Sequence, residues 1–394
     1  MNKAVILAGL RTPIGRFQGG LQAFNAVQLG SLVAKVLLER LAFPVDMVDE
    51  IIMGNVISAG LGQNPARQVG LRAGLSPRVA ALTVNKVCGS GLKSVGLAAQ
   101  SIWLGEASLV MAGGMESMTN APYILPEVRS GLRLGHGKVL DAMIQDGLWD
   151  AFENFHMGII WEIVADRYQI TRQQQDVYAL SSHQKAISAA KEGRFISQIV
   201  PVPIHDKKGT TTLFQQDEGP REDTTLDKLN SLKPVFKKDG TITAGNAPGT
   251  NDGAAVLVLA SIQIARELGL RPMATVVAQS VSGVAPRDVM MAPVSAVERL
   301  WKKTGWSKDE VDLYEINEAF SVQAIAVSSE LQLDPSKVNV NGGSVALGHP
   351  IGASGARILV TLLHEMVRRD VRKGIAALCL GGGNAVAMAV EREV

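Results

Sequence analysis

The stretch Asp46-Met47-Val48-Asp49-Glu50-Ile51-Ile52 returns, in altered spelling, as Asp309-Glu310-Val311-Asp312-Leu313-Tyr314-Glu315. Both copies read as a helix-to-strand junction. Working outward, each copy is followed by a glycine-rich turn that opens a helix, Cys88-Gly89-Ser90-Gly91 in the first and Ile351-Gly352-Ala353-Ser354-Gly355 in the second. Each helix leads into an apolar strand that runs into glycines, at residues 109–114 and 375–383. Short apolar runs alternating with amphipathic stretches mark an α/β fold, and the echo marks it as duplicated. Strands are expected at 4–10 and 50–52, helices at 29–41 and 92–104, and a second half starting near Pro272 after a helix over 262–268. Between the halves the rhythm breaks, and residues 120–249 read as an insertion whose clearest helix is 172–191. The expected organisation is an N-terminal half of residues 1–119 and 250–271, the insertion 120–249, and a C-terminal half of 272–394.

Composition narrows the function. Hydrophobic residues make up 46 % of the 394 and charged residues 19 %, below the usual charged share of about 25 %, which points to surface buried between subunits. A net charge of +2 without a long run of one sign is too balanced for a dedicated nucleic-acid binder. No run of 18 apolar residues occurs, so a soluble protein is expected. The N-terminal apolar run is short and meets Arg11 and Pro13, which suits a buried strand better than a signal peptide. Two cysteines, Cys88 and Cys379, cannot form a disulfide framework, and the cytoplasm is the expected compartment.

Four residues are candidates for chemistry. Cys88 precedes a helix start, where the dipole and free N–H groups can lower a thiol pKa from about 8.5 into roughly the 3.5 to 7.5 range; the alternative is a buried core cysteine. His349 occupies the matching turn of the second half, so a pseudo-twofold relation would bring it to Cys88 as a base; alone, it also reads as a structural loop histidine. Cys379 ends a strand before Gly381-Gly382-Gly383, where backbone N–H groups can approach a developing oxyanion, although a core position is equally open. Asn317, in Asn317-Glu318-Ala319-Phe320, either orients a water or carbonyl or caps the following helix. No G-x-G-x-x-G follows a strand, no Walker A sequence is present, and the six histidines lack metal-ligand spacing, so no metal and no resident cofactor is expected.

Taken together, Asn85-Lys86-Val87-Cys88-Gly89-Ser90-Gly91-Leu92-Lys93, Asn317-Glu318-Ala319-Phe320, the run from Gly342 to Gly355 and Cys379-Leu380-Gly381-Gly382-Gly383 resemble the thiolase family in the same order, and the likeness extends from Arg11-Thr12-Pro13-Ile14-Gly15 onward. The resemblance implies a five-layered αβαβα fold of two βαβαβαββ halves with an inserted loop domain. It implies that Cys88 takes an acyl group from acyl-CoA while His349 removes its proton. It implies further that Cys379 deprotonates a second acyl-CoA, that the enolate oxygen lies against His349 and a water held by Asn317, and that the N–H groups of Cys88 and Gly381 stabilise the tetrahedral intermediate.

Phe155-His156-Met157-Gly158 is similar to the acetoacetyl-CoA-forming branch, in which His156 and Met157 restrict the pocket to short chains. Arg221 matches an adenine contact, where a guanidinium can stack on an aromatic face. Phe236, Ala244, Pro248, Ala319 and Phe320 fall among the implied substrate and CoA contacts. Pro248 stands where the family usually has a serine on the pantetheine, and proline offers neither hydroxyl nor N–H. Asn384 stands where methionine is more usual. Acetyl-CoA, acetoacetyl-CoA and CoA are the implied substrates, and a homotetramer with contacts in residues 121–147 is the implied assembly. The competing readings are a thiolase for longer 3-ketoacyl chains, a decarboxylating ketosynthase, and a non-catalytic acyl-CoA-binding scaffold; the two-cysteine constellation argues against the last two.

Overall fold

The computed structural model describes residues 2–205 and 208–393. Ten strands form the main sheet: β1 (Ala4–Arg11), β2 (Gly15–Arg16), β3 (Glu50–Gly54), β4 (Ala80–Val84), β5 (Leu109–Ser117), β6 (Asn251–Ser261), β7 (Ala274–Gly283), β8 (Leu313–Ile316), β9 (Lys373–Leu380) and β10 (Asn384–Glu391). Their order is β8-β9-β10-β7-β1-β6-β5-β3-β4, with β2 paired to β6. The two halves repeat one plan. In the first, β4, β3 and β5 are parallel and β5, β6 and β1 antiparallel. In the second, β8 and β9 are parallel and β9, β10 and β7 antiparallel, and a single bridge from Tyr314 to Val338 stands where the first half has β4. Two pairings, Val5 with Thr275 and Ile6 with Ala274, join the halves at their first strands.

Period-2 alternation explains the layering. In β5, Val110 and Ala112 face a core shared with Leu92, Val95 and Ile358, whereas Leu109 and Met111 face a second core with Leu29, Val33 and Val69. In β9, Ala376 and Leu378 point to the shared core, and Ile375 and Ala377 to a third, with Val297 and Leu300. Helices Ala26–Leu41 and Pro65–Ala73 therefore cover one outer face, Ser90–Leu104 and Ile351–Arg369 lie between the half-sheets, and Ala292–Thr304 covers the other face. This is the five-layered αβαβα arrangement. Strands buried on both faces read as continuous apolar runs, which is why β1 and β6 show little alternation.

The two central helices cross glycine to glycine. A Cβ on Gly91 would come within 2.8 Å of Ala356 N, and one on Gly355 within 2.5 Å of Leu92 N. Only hydrogen side chains permit that approach, and it brings the helix starts together, each with its preceding turn. Residues 118–250 lie between β5 and β6, at the place where β9 and β10 are joined by Gly381-Gly382-Gly383 alone. The helix Arg172–Lys191 begins at a capping box, Thr171 with Gln174, a start fixed by the local sequence.

Candidate active site

Cys88 sits in a tight turn rather than at the end of a strand: β4 stops at Val84, and residues 85–89 fold back before the helix. Asn85 Oδ1 accepts from Val87 N at 3.0 Å, Ser90 Oγ accepts from Lys86 N at 2.8 Å, and Ser90 Oγ donates to Val87 O at 2.6 Å. These bonds hold Val87 at φ +46°, an uncommon conformation for a β-branched residue and a mark of a constrained turn. The constraint turns the Cys88 side chain into a cavity of about 360 Å³ that Cys379, His349 and Gly381 also line. The expected lowering of the thiol pKa is overturned. Burial pushes Cys88 up to about 12, outweighing the opposing backbone N–H groups of Cys88 and Gly381. Gly89, not Cys88, is the residue at the helix cap, and desolvation of a thiolate exceeds what the dipole returns. Cys379, buried at the end of β9, is also raised, by burial and then by the nearby Cys88.

His349 is fixed from three sides. Its backbone N–H donates to Asn251 Oδ1 at 2.8 Å, and Asn251 Nδ2 donates to Gly15 O at 2.9 Å. A Cβ on Gly348, at φ +107°, would lie 2.6 Å from the Asn251 amide, so glycine is required there. The ring Nδ1 is 2.6 Å from Ser354 Oγ, whose single hydrogen goes to Pro350 O at 2.8 Å. Nδ1 is therefore the protonated nitrogen and Nε2 the free base. Burial, and then the charge of Arg357, pull His349 down to about 3. The resting pair is a neutral thiol and a neutral imidazole, so proton transfer must accompany attack on the substrate.

Asn317 does not cap the following helix, whose cap is Phe320. It is buried just beyond β8, with Oδ1 accepting from Ser344 Oγ at 2.7 Å and Nδ2 without a partner among the described residues. The adjacent Glu318 locks the turn, accepting from Tyr178 Oη at 3.0 Å, Ser182 Oγ at 2.8 Å, Asn339 Nδ2 at 3.2 Å and Val345 N at 3.0 Å. Across the site, buried Glu116 takes bonds from Asn55 Nδ2, Val56 N, Ile57 N and Gly352 N, tying the first half to the helix that follows His349. Burial pushes its carboxyl up to about 7.

The outer wall of the cavity is apolar and aromatic. His156 starts the helix Met157–Arg167, its Nδ1 accepting from Gly158 N at 3.1 Å, and its ring stacks on Phe236 at 4.9 Å. Phe236 meets Phe320 edge-on at 6.3 Å, and Phe320 lies 4.8 Å from Trp161. His156, Met157, Phe236, Pro248, Ala319 and Phe320 all line the cavity. Arg221, Ala244 and Asn317 do not. Arg221 is exposed, its N–H donating to His183 Nδ1 at 3.2 Å and its Nη2 to Ala244 O at 3.4 Å. Its loop is anchored, because Asp217 makes a two-bond pair with buried Arg11 at 2.7 and 2.9 Å and Glu218 accepts from Arg16 N at 2.7 Å. Asp217 and Glu218 thus tie this loop to the start of the first half. Asn384 spans the two catalytic turns, with Oδ1 3.4 Å from Lys86 Nζ and Nδ2 donating to Gly382 O at 3.3 Å.

Sequence reasoning missed Trp161, Met118, Leu148 and Val289, which also line the cavity. Trp161 had a signal: it stands one helical turn after Met157, on the same face. Among the described residues no group of three or more His, Cys, Asp or Glu is placed to hold a metal ion, and no helix is long and apolar enough to cross a membrane.

Two cysteines, one histidine with a free Nε2 and a backbone N–H at Gly381, drawn from both halves of a duplicated αβαβα fold, define an acyl-transfer site of the thiolase type. The chain belongs to the thiolase family: residues 4–263 match the model of its N-terminal domain and residues 270–392 that of its C-terminal domain. It is 51 % identical to the acetyl-CoA acetyltransferase of Pseudomonas aeruginosa and 52 % identical to that of Cupriavidus necator, over all of both chains in each case. The crystal structure of the Bacillus anthracis acetyl-CoA acetyltransferase superposes with a TM-score of 0.97 at 45 % identity, covering 99 % of each chain.

Proposed function

We propose that the protein is an acetyl-CoA C-acetyltransferase that condenses two acetyl-CoA into acetoacetyl-CoA and CoA, reversibly and by a ping-pong route. The observation that carries the reading is the meeting of Cys88 and Cys379 in one cavity with His349 and the Gly381 backbone, a constellation that a pure binder does not need. Cys88 Sγ attacks the thioester carbon as its proton passes to His349 Nε2. The intermediate's oxyanion takes hydrogen bonds from the N–H groups of Cys88 and Gly381, and collapse expels the CoA thiolate, which leaves with a proton taken from Cys379, so that Cys379 becomes the thiolate beside a protonated His349. Such preorganised donors are each worth about 2.7 to 4 kcal/mol. A second acetyl-CoA then loses a methyl proton to Cys379, its enolate oxygen lying against His349 and a water on Asn317 Nδ2. The carbanion attacks the acetyl-Cys88 carbon, the C–S bond to Cys88 breaks as acetoacetyl-CoA leaves, and Cys88 takes back its proton from His349, which restores the resting state.

The aromatic wall of His156, Phe236, Phe320 and Trp161 supports a short acyl group. Pantetheine is held past Pro248, by apolar contact at that residue and by its neighbours Gly249 and Thr250, while Arg221 and Ala244 meet the nucleotide end outside the cavity. CoA thioesters are substrates here rather than resident cofactors. Residues 120–249 form the CoA-binding insertion, and its exposed apolar side chains Tyr123, Leu125, Leu132, Leu134 and Val139 make it the contact that assembles a tetramer; sedimentation as a monomer would defeat this. Both cysteines are free, and a mechanism that needs two thiols suits the reducing cytoplasm. The decisive assay compares thiolysis of acetoacetyl-CoA with that of 3-ketooctanoyl-CoA: a higher kcat/KM on the short substrate is expected, and a clear preference for the long one transfers the protein to the fatty-acid-degrading branch.

A further inference from the structure

We propose that Arg357 and Ser344 are positioning residues for the carbon–carbon bond step, acting through the amide of Asn317. The guanidinium of Arg357, on the helix that follows His349, donates from Nη2 to Ser344 Oγ at 2.6 Å. An arginine side chain has donors only, so Ser344 Oγ accepts there and its one hydrogen is left for Asn317 Oδ1, at 2.7 Å. The oxygen end of the amide is thereby occupied, and Nδ2 is fixed as the end that faces away from the chain of donors. All three side chains are buried, at 2 % exposure or less, and they come from three separate elements, so the order of the bonds does not follow from one helix or turn.

Two features set this apart from an ordinary buried ion cluster. Asn317 Nδ2 has no partner among the described residues although it is fully buried, and a buried donor left open is costly unless an oxygen atom of substrate or water meets it. Arg357 spends one bond on Ser344 while its Nε and Nη1 have no partner among the described residues; its charge is balanced at longer range by Glu315, Glu318 and Asp217 against Arg11. A guanidinium placed chiefly for stability would be expected to saturate its fork with carboxylates. Here it is held beside a hydroxyl whose direction it decides, and that direction decides which end of Asn317 holds the water that meets the enolate oxygen. The relay rests on the role proposed above for Asn317.

The test separates the half-reactions. Exchange of labelled CoA into acetyl-CoA requires acyl transfer to Cys88 alone, whereas thiolysis of acetoacetyl-CoA also requires the enolate. For Ser344→Ala, thiolysis kcat is expected to fall roughly 30- to 100-fold, less than the roughly 10²- to 10³-fold for deleting a placed donor outright because the amide remains and only its orientation is loosened, with KM and the exchange rate each within about threefold of wild type. Adding Ser344→Ala to Asn317→Ala should leave thiolysis within about twofold of Asn317→Ala alone, because both act on one group. Equal losses in exchange and thiolysis, no loss in either, or additive losses in the double variant would each overturn the relay. Should Ser344→Ala not fold, Arg357→Lys, which keeps the charge and loses the planar fork, is expected to show the same split, and a uniform loss there counts against it. Wild type that exchanges CoA without thiolysing acetoacetyl-CoA would sink the enolate role of the site itself, a separate result.

Discussion

The two halves of the molecule share a strand plan and place different chemistry at matching positions. Gly89 and Pro350 precede the two central helices, so Cys88 in the first half corresponds to His349 in the second. The strand registers, Glu50 opposite Val110 and Leu313 opposite Gly374, extend the match: Asn317 corresponds to Gly54, and Cys379 to Met115. In the first half those two positions are inert. A Cβ on Gly54 would come within 2.5 Å of the Ser90 backbone, and Met115 is fully buried in the outer core. In the proposed mechanism the first half thus contributes the nucleophile and the second the base, the enolate-orienting amide and the second thiol. The close approach of the central helices at Gly91 and Gly355 brings the two matching turns to one cavity.

The largest break in this asymmetry is Cys88→Ala. Thiolysis of acetoacetyl-CoA should fall by about 10⁵-fold or more, the scale for losing a covalent nucleophile, measured beside wild type with CoA varied. His349→Gln removes the matching group of the second half and should lower kcat by roughly 10² to 10⁴. It should also change how stability depends on pH. His349 is held neutral down to about 3, below the ordinary value of about 6.5, so its contribution is fully present above pH 6.5 and is lost as pH falls from there toward 3. By pH 5 the wild type should have lost about 2 kcal/mol relative to pH 8 through this group, and urea unfolding of His349→Gln should lack that part of the slope.

Ser354→Ala sharpens the comparison, since Ser354 sets which nitrogen of His349 carries the proton. A drop of about tenfold in kcat is expected, with nitrogen NMR showing a mixed tautomer in place of Nδ1–H alone; full activity in that variant would mean that another group orients the ring. The smallest effect belongs to Pro248→Ser. Restoring a hydroxyl on the cavity wall should lower KM for CoA by roughly two- to fivefold, the worth of one modest hydrogen bond, and leave kcat unaltered. An unchanged KM would show that the pantetheine does not pass this residue.

The scaffold was legible where local rules coincide with the tertiary role. The echo of residues 46–52 at 309–315 located the duplication, and the glycine-opened helices located Cys88 and His349, because a turn that must approach another backbone needs glycine whatever surrounds it. The reading of a lowered thiol pKa at Cys88 failed because it took a local rule in isolation. A helix start lowers a thiol pKa only while solvent still reaches the sulfur, and the Cys88 site is desolvated by the other half of the chain. The pairing of Asp217 with Arg11, 206 residues away, has no local signal at all. Val289 and the orientation of the Asn317 amide belong to the same class, since each is fixed by contacts between segments far apart in sequence, whereas Trp161 could have been found from its place one turn after Met157. The helix Arg172–Lys191 is the counter-example, bounded by its own capping box and readable without a partner.

The central claim is that the two thiols do different work, Cys88 carrying the acyl group and Cys379 removing the carbon-bound proton. The most direct measurement is mass spectrometry of Cys379→Ser after incubation with acetyl-CoA, run beside an assay of acetoacetyl-CoA synthesis. The account predicts an acetylated peptide containing Cys88 together with a loss of synthesis of roughly 10² to 10⁴, the range for removing a general base. An unacetylated Cys88, or synthesis at the wild-type rate, would contradict it.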